Sequence, residues 1–229
     1  MLTLCPAAVI FDMDGLLLDT ERISRETMIA AMAELGFAMT EADFVPLIGM
    51  PDDVNRIQLV ATHGPDFDYD EMRAIQARVK TERYGDERPL QPGARLIVET
   101  VAALGIPRGV ATSSRRVAAD AHLGHMGLRP HMDVVLTRDD VARGKPDPDL
   151  YLAAAAALRQ APAACLALED SHNGVRAAHA AGVPVIMVPD LLPATAEMRS
   201  LCLAIAANLD EVRDWLVAAC RPQNSLPRP

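Results

Sequence analysis

The sequence predicts an α/β protein in which a parallel sheet is covered by helices on both faces and an all-α unit is inserted after the first strand. Three observations predict it. The apolar, β-branched run Ala8-Val9-Ile10-Phe11 suits a strand buried on both faces, and it stops abruptly at Asp12-Met13-Asp14-Gly15. Between residues 17 and 88 apolar positions recur at helical spacing and no convincing strand interrupts them. From Gly93 onward, helical stretches alternate with short apolar runs, the pattern of strand–helix–strand units with right-handed crossovers.

In chain order, Met28, Ala31, Met32 and Leu35 define a helix from 20 to 35 that Gly36 stops. Further helices are predicted near 41–48, 51–63 and 69–84, with Gly49, Pro51, Gly64 and Pro65 as breaks. Pro89 and Pro92 mark the return to the sheet, where helices are expected near 94–104, 115–124, 149–158, 172–181 and 194–200. The intervening strands are Arg108–Thr112, Asp133–Leu136, Cys165–Leu168 and Pro184–Val188. Residues 1–16 and 89–229 therefore read as an α/β core, 17–88 as a separate helical unit, and Pro222–Pro229 as a loose tail.

Composition narrows the function classes. The 229 residues suffice for a substantial core, and with half of them hydrophobic but 3% aromatic, that core must be built from Ala, Leu, Val, Ile and Met. A formal net charge of −9 argues against a nucleic-acid surface, which demands clustered Lys and Arg. No run reaches membrane-spanning length, and Met1–Phe11 lacks the basic start of a cleavable signal. Cys5, Cys165, Cys202 and Cys220 are scattered without C-x-x-C spacing, so they read as small buried hydrophobes in a reducing cytoplasm.

The candidate chemistry lies at strand ends. Asp12 and Asp14 point the same way from an extended chain, and two like charges so close need a cation, a shared proton or a phosphate-binding role. Mg²⁺ suits them, because it prefers oxygen ligands and is usually held by one or two carboxylates plus water and phosphate oxygens. A solvated turn after a strand would use the same residues. Thr112-Ser113-Ser114 ends a second strand, where a phosphate contact and a helix N-cap are both open. Glu169-Asp170-Ser171 ends a third, as a metal site or an acidic helix start. Lys145, in Arg143-Gly144-Lys145-Pro146-Asp147-Pro148, is either a clamp on developing negative charge or a surface lysine.

Taken together, Asp-Met-Asp-Gly with Asp19-Thr20, the Thr-Ser strand end, Gly-Lys-Pro-Asp-Pro and Leu-Glu-Asp-Ser-His-Asn-Gly closely resemble the haloacid dehalogenase superfamily, from Val9 to about Val188. More narrowly, the chain resembles the group with a helical cap inserted after the first motif, which contains sugar-phosphate phosphatases and β-phosphoglucomutase. The resemblance implies a Rossmann-like core in which Asp12 is the nucleophile, forming an aspartyl-phosphate, and Asp14 the general acid and base. It also implies phosphate contacts from Thr112, Ser113 and Lys145. Mg²⁺ would be bound by Asp12, Asp14 through its backbone carbonyl, and Asp170, with Glu169 either a ligand or an acceptor for metal-bound water. His172 is expected to be structural.

The expected activity is hydrolysis of a small phosphomonoester, a sugar phosphate by preference. Phosphomutase activity is the first alternative. A phospho-accepting signalling module is the second, weakened because a switch that keeps its phosphate should not place a base beside it. Dehalogenation is disfavoured by the retained Asp14. The mutases' histidine a few residues after the Asp-Thr pair and their cap-loop arginine that grips the second phosphate are replaced at the apparent equivalents by Ser24 and Asp52, which favours hydrolysis. Arg56, Lys80 and Arg83 are the cationic candidates for contacts from the cap, with Lys80 also the residue that phosphonate cleavage would require. The expected partner is a small phosphorylated metabolite, with no nucleic acid and no membrane; a monomer is compatible with the sequence, which leaves oligomeric state open.

Overall fold

Ala8, Val9, Ile10 and Phe11 are all fully buried, which requires a strand covered on both faces. This strand, β1 (Ala8–Phe11), lies inside a parallel sheet in the computed structural model, which describes residues 2–48, 50, 52–85 and 89–221. The other strands among the described residues are β2 (Arg108–Ala111), β3 (Val134–Leu136), β4 (Cys165–Glu169), β5 (Val185–Met187) and β6 (Ala204–Ile205). Their spatial order is β3-β2-β1-β4-β5-β6, every pairing is parallel, and Phe11 is in register with Val110 on one side and Leu168 on the other. The strand order reverses between β1 and its neighbour β4. In open parallel sheets such a reversal leaves a crevice at the carboxyl ends of the strands, and Asp12 emerges into it.

Alternation along β1 divides the core. Val9 and Phe11 pack with Ile97, Val101, Leu123 and Leu216, whereas Ala8 and Ile10 pack with Tyr151, Ala154, Val175 and Ala178. The first face is covered by α5 (Ala94–Ala103), α6 (Arg116–His125) and α10 (Leu209–Cys220), the second by α7 (Asp149–Ala157), α8 (His172–Ala180) and α9 (Ala196–Leu201).

The segment between β1 and α5 forms α1 (Thr20–Glu34), α2 (Glu41–Phe44), α3 (Asp52–His63) and α4 (Tyr69–Tyr84). These have a core of their own, built on Met28, Met32, Phe44, Leu59, Tyr69 and Met72. Local chemistry starts them: Thr40 and Asp43 form a reciprocal capping box, and the Asp68 carboxylate accepts from the Glu71 amide. The predicted helix at 41–48 is shorter, because Pro46 lies in a 3₁₀ turn, Val45–Leu47, that ends it. Leu17 and Leu18, expected on the helical side, pack instead with the sheet-side core. Leu18 also bridges to Leu90, and the Asp19 amide donates to the Pro89 carbonyl at 2.8 Å, so the two crossings run side by side.

Two elements are absent from the sequence reading, β6 and α10. The signal for α10 was present: Asn208 followed three residues later by Glu211, then Val212 and Leu216 at helical spacing. The Asn208 side chain accepts from the Glu211 amide at 2.9 Å, and Glu211 accepts from Ala207 N at 2.7 Å. Gly49, Pro51, part of the return segment (86–88) and the expected tail Pro222–Pro229 lie outside the described residues.

The cysteine reading is corrected. Cys5 and Cys220 form a disulfide across 215 residues of sequence, leaving Cys165 buried and Cys202 half-buried as free thiols. The end of α10 returns to the segment before β1, a proximity that residue spacing cannot reveal. Disulfides persist mainly in oxidising compartments, so the expectation of a reducing cytoplasm loses its support from cysteine usage. Among the described residues no helix is long and apolar enough to cross a membrane. Replacing Cys220→Ser should lower stability by about 2–5 kcal/mol, since a native cross-link restricts the unfolded chain. Denaturant unfolding with and without reductant measures this, and reductant should shift the midpoint of the wild-type protein but not of the variant.

Candidate active site

The end of β1 delivers Asp12 into the crevice, its amide bound to the Leu168 carbonyl at 2.9 Å. Glu169 is the last residue of β4 and shares the face of Ala167, where Tyr151 and Gly174 lie. Between the two carboxylates stands Lys145, held over the Tyr151 ring by the loop that precedes α7. Its ammonium donates to Asp12 Oδ1 and, at 2.5 Å, to Glu169 Oε1. Glu169 is engaged through both oxygens: Tyr151 donates to Oε1 at 2.6 Å, and Ser171 donates to Oε2 through its hydroxyl at 3.1 Å.

This cluster is buried, and burial sets its protonation energetics. Burial raises the pKa of Asp12 well above the usual carboxylate value, with the Lys145 charge opposing the shift and Glu169 and Asp14 adding to it. Burial also raises Asp170 well above the usual range, reinforced by Asp12 and Glu169. Burial alone would depress Lys145, but Asp12 and Glu169 outweigh it and hold the ammonium charged.

Asp12, Glu169 and Asp170 offer ligand oxygens within 4.8 Å of one another, and Asp170 Oδ1 is buried with no hydrogen-bond partner among the described residues. When all three carboxylates are ionised, one lysine leaves negative charge unmatched, and one oxygen of Asp170 is without a partner among the described residues. A divalent cation with oxygen preference satisfies both conditions, so the donor set fits a metal ion.

Two glycines make room for these acids. A Cβ at Gly15, whose φ is +91°, would lie 2.2 Å from Asp170 Oδ2, and one at Gly174 would lie 1.8 Å from Glu169 Oε1.

The Asp14 carboxylate lies outside the three-carboxylate group; the metal contact expected of Asp14 is through its backbone carbonyl. Its Oδ2 accepts from Thr112 Oγ1 at 3.1 Å and from Ser114 Oγ at 2.7 Å. Thr112, expected to face phosphate, spends its hydroxyl proton on Asp14 and accepts from the Ser114 amide at 2.9 Å. Ser113 and Asp14 both line a cavity of about 520 Å³ between the helical unit and the sheet edge. Lys80, Ser24 and Asp52 line it too. Arg56 and Arg83 do not; Arg56 forms a two-pronged pair with Asp70, at 2.8 and 2.5 Å, above the Tyr69 ring. His172 hydrogen-bonds the Pro193 carbonyl at 3.0 Å.

Sequence reasoning gave no role to Glu21, Tyr151, Gly174 and Arg73, and named Ser114 and Ser171 only as members of strand-end clusters. Glu21 lines the cavity, and its pKa is raised to about 7, first by burial and then by Asp14 and Asp190. Tyr151 and Arg73 carried no local signal, since each looked like an ordinary helix residue. Ser171 and Gly174 sat inside the singled-out Glu-Asp-Ser-His-Asn-Gly run, where an N-cap serine was readable.

A doubly covered parallel sheet with an acid–lysine cluster at its switch point, beneath a helical unit, defines a class of metal-assisted hydrolase built on an α/β core. A profile of the haloacid dehalogenase-like hydrolases matches residues 9–188, and the chain belongs to that family. The fructose-1-phosphate phosphatase YqaB of Escherichia coli is 30% identical over 80% of this chain and 96% of its own. The phosphorylated carbohydrates phosphatase of Thermotoga maritima is 32% identical over 77% of this chain and 82% of its own. In structure, a hydrolase of the family from Deinococcus radiodurans, solved with bound phosphate and sodium, superposes with a TM-score of 0.80 at 27% identity, covering 94% of this chain and 96% of that one. With relatives of this kind, the chain is a phosphatase of the superfamily.

Gly174→Ala should displace the Glu169 carboxylate and with it Lys145, lowering kcat by at least ~100-fold and stability by about 1–3 kcal/mol, the usual scale of overpacking. Steady-state kinetics and thermal unfolding of the purified variant check both effects.

Proposed function

We propose that the protein hydrolyses small phosphomonoesters, sugar monophosphates foremost, with Mg²⁺ as cofactor and an aspartyl-phosphate on Asp12 as intermediate. The observation that carries this reading is the buried Asp12–Lys145–Glu169 triad with the bare oxygen of Asp170 beside it. Relatives named as phosphatases of fructose 1-phosphate and of phosphorylated carbohydrates support the substrate class.

An Asp12 oxygen attacks phosphorus, and the bond from phosphorus to the leaving oxygen breaks as the aspartyl-phosphate forms. Asp14, protonated for this step, gives its proton to the departing alkoxide. Thr112 and Ser114 orient its carboxyl, and each can return a hydrogen bond when it becomes ionised. Water then attacks the phosphoryl group while Asp14 takes its proton, and cleavage of the acyl-phosphate releases inorganic phosphate and regenerates the Asp12 carboxylate. Lys145 faces charge that spreads over the phosphoryl oxygens, with Ser113 at the same rim. When bound, Mg²⁺ would supply neutralisation of phosphate charge, held by Asp12, Asp170 and the backbone carbonyl of Asp14. Glu169, engaged through both oxygens, acts through its hold on Lys145.

Residues 17–88 serve as a cap over the crevice in this reading, and two crossings bridged side by side at Leu18 and Leu90 allow hinge motion at few backbone angles. Hydrolysis is favoured over isomerisation because Ser24 and Asp52, both on the cavity, stand at the apparent equivalents of the mutases' histidine and cap-loop arginine.

Asp12→Asn should reduce phosphate release by several orders of magnitude while leaving the unfolding transition in place; a variant turning over at the wild-type rate would refute the covalent route. Chelation should abolish activity, and Mg²⁺ should restore it and raise Tm, as a ligand that binds only the folded state does. Calcium should restore it poorly, because its larger shell admits extra oxygens. Phosphorus NMR should show free phosphate without an accumulating bisphosphate, whereas efficient conversion of β-glucose 1-phosphate to the 6-phosphate would assign a mutase.

A further inference from the structure

Lys145 reaches the buried acids from a loop, and a loop fixes a side chain only as firmly as its own backbone is fixed. Residues 141–148 lie between a 3₁₀ turn, Arg138–Asp140, and α7. The Asp147 amide donates to the Gly144 carbonyl at 3.0 Å, closing a turn around Lys145 and Pro146. Just before that turn, the carbonyls of Val141 and Ala142 are held by one side chain. Arg138 Nη1 donates to the first at 2.8 Å, and Nη2 donates to the second at 3.3 Å. A Cβ at Gly144 would lie 3.0 Å from Arg138 Cδ, so the arginine stem crosses the loop beside the residue that precedes Lys145.

Neighbouring arginines spend their charge on carboxylates: Arg116 pairs with Asp140 at 2.5 Å, and Arg143 with Asp149 at 2.7 Å. Arg138, exposed as Arg143 is, pairs with no carboxylate among the described residues and is committed to the two carbonyls instead. Its backbone is anchored elsewhere. The Arg138 amide donates to the Ser114 carbonyl at 3.0 Å, and the Ser114 hydroxyl donates to Asp14 at 2.7 Å. Other bonds hold the same turn: Asp140 accepts from the Thr137 amide at 2.7 Å, and Asp139 from the Arg116 amide at 2.9 Å. Removing the Arg138 side chain therefore leaves the turn itself bonded.

We infer that Arg138 is a positioning residue for phosphoryl transfer: its backbone is bonded to the segment that orients Asp14, its side chain braces the loop that carries Lys145, and it thereby sets the lysine against the acid–base carboxyl. This rests on the phosphatase reading and adds to it a residue that acts through Lys145 without touching the reacting atoms. Asp14 follows β1 and the Lys145 loop follows β3, with β2 between those strands in the sheet, so no local turn relates the two groups. Arg138 supplies the relation that sheet topology leaves open. Such a brace matters because catalytic charge is effective only in place, and a shift of about 1 Å can cost ~100-fold in rate.

The test uses the full chain with Mg²⁺ on three probes: fructose 1-phosphate, glucose 6-phosphate and p-nitrophenyl phosphate. Arg138→Met keeps the stem and removes the donors. It should lower kcat about tenfold or more on every ester that the wild type hydrolyses, with KM changed less than about twofold, the pattern of an interaction lost in the transition state. Arg138→Lys, whose ammonium can reach one carbonyl, should recover part of that loss. Both variants should unfold at the wild-type midpoint, since an exposed side chain away from the core adds little stability. Gly144→Ala should lower kcat by crowding Arg138, yet in an Arg138→Ala background it should cost nothing further, because the stem it crowds is gone. Wild-type kcat in Arg138→Met, equal losses in the Lys and Met variants, a lowered midpoint that accounts for the loss, or multiplying losses in the double variant would each overturn the brace and leave the phosphatase reading standing. A wild type that releases phosphate from none of the probes would defeat that reading, and this inference with it.

Discussion

One buried lysine conditions the whole of the crevice. Asp12, Glu169 and Asp170 converge because two adjacent strands, β1 and β4, end at one edge of the sheet, where burial and mutual repulsion raise Asp12 and Asp170 and the charge of Lys145 opposes the shift. Lys145 ties Asp12 to Glu169, and Tyr151 and Ser171 hold Glu169 in turn. Removing any one member of such a network leaves an uncompensated buried charge or donor, which explains why so many side chains are devoted to a single ammonium.

Space limits this arrangement as strongly as charge does. The carboxylates of Asp170 and Glu169 occupy volume that a side chain at Gly15 or Gly174 would fill. Gly15 has a second task, because its positive φ turns the chain out of β1 into the crossing toward the helical unit. The Gln91 side chain then donates to the Gly15 carbonyl at 3.0 Å, so the return crossing is attached at the point where the outward crossing begins. The reactive edge and the entry to the helical unit are thus parts of one turn.

The helical unit contributes polarity of another kind. Its surface salt bridges, such as Arg56–Asp70 and Arg78–Glu34, are largely exposed and of small energetic weight. Its cavity-facing groups are instead fixed by hydrogen bonds among themselves, as Tyr69–Asp52 and Arg73–Gln76 illustrate. A lining with fixed donors and acceptors discriminates by the penalty for groups left unpaired, which is how a polar pocket separates similar small molecules.

The sequence by itself determined the α/β class, the central strand, most helices and the position of Asp12, Glu169 and Asp170 at strand ends. Each is written in local periodicity or in an apolar run that stops at a polar cluster, whereas a role for Lys145 followed only from the family resemblance of its motif. It also carries the cap for α10 in Asn208 and Glu211, ahead of Val212 and Leu216 at helical spacing. Only the tertiary structure decided that Asp14 turns to Ser114, 100 residues away, and that Arg56 is engaged by Asp70 while Arg73 lines the cavity. It likewise decided that Cys5 meets Cys220 and that Gly174 clears room for Glu169. The physical reason is common to all of these: which side chains meet depends on how separate elements pack, and periodicity within one element records the face it buries without naming the partner it finds there.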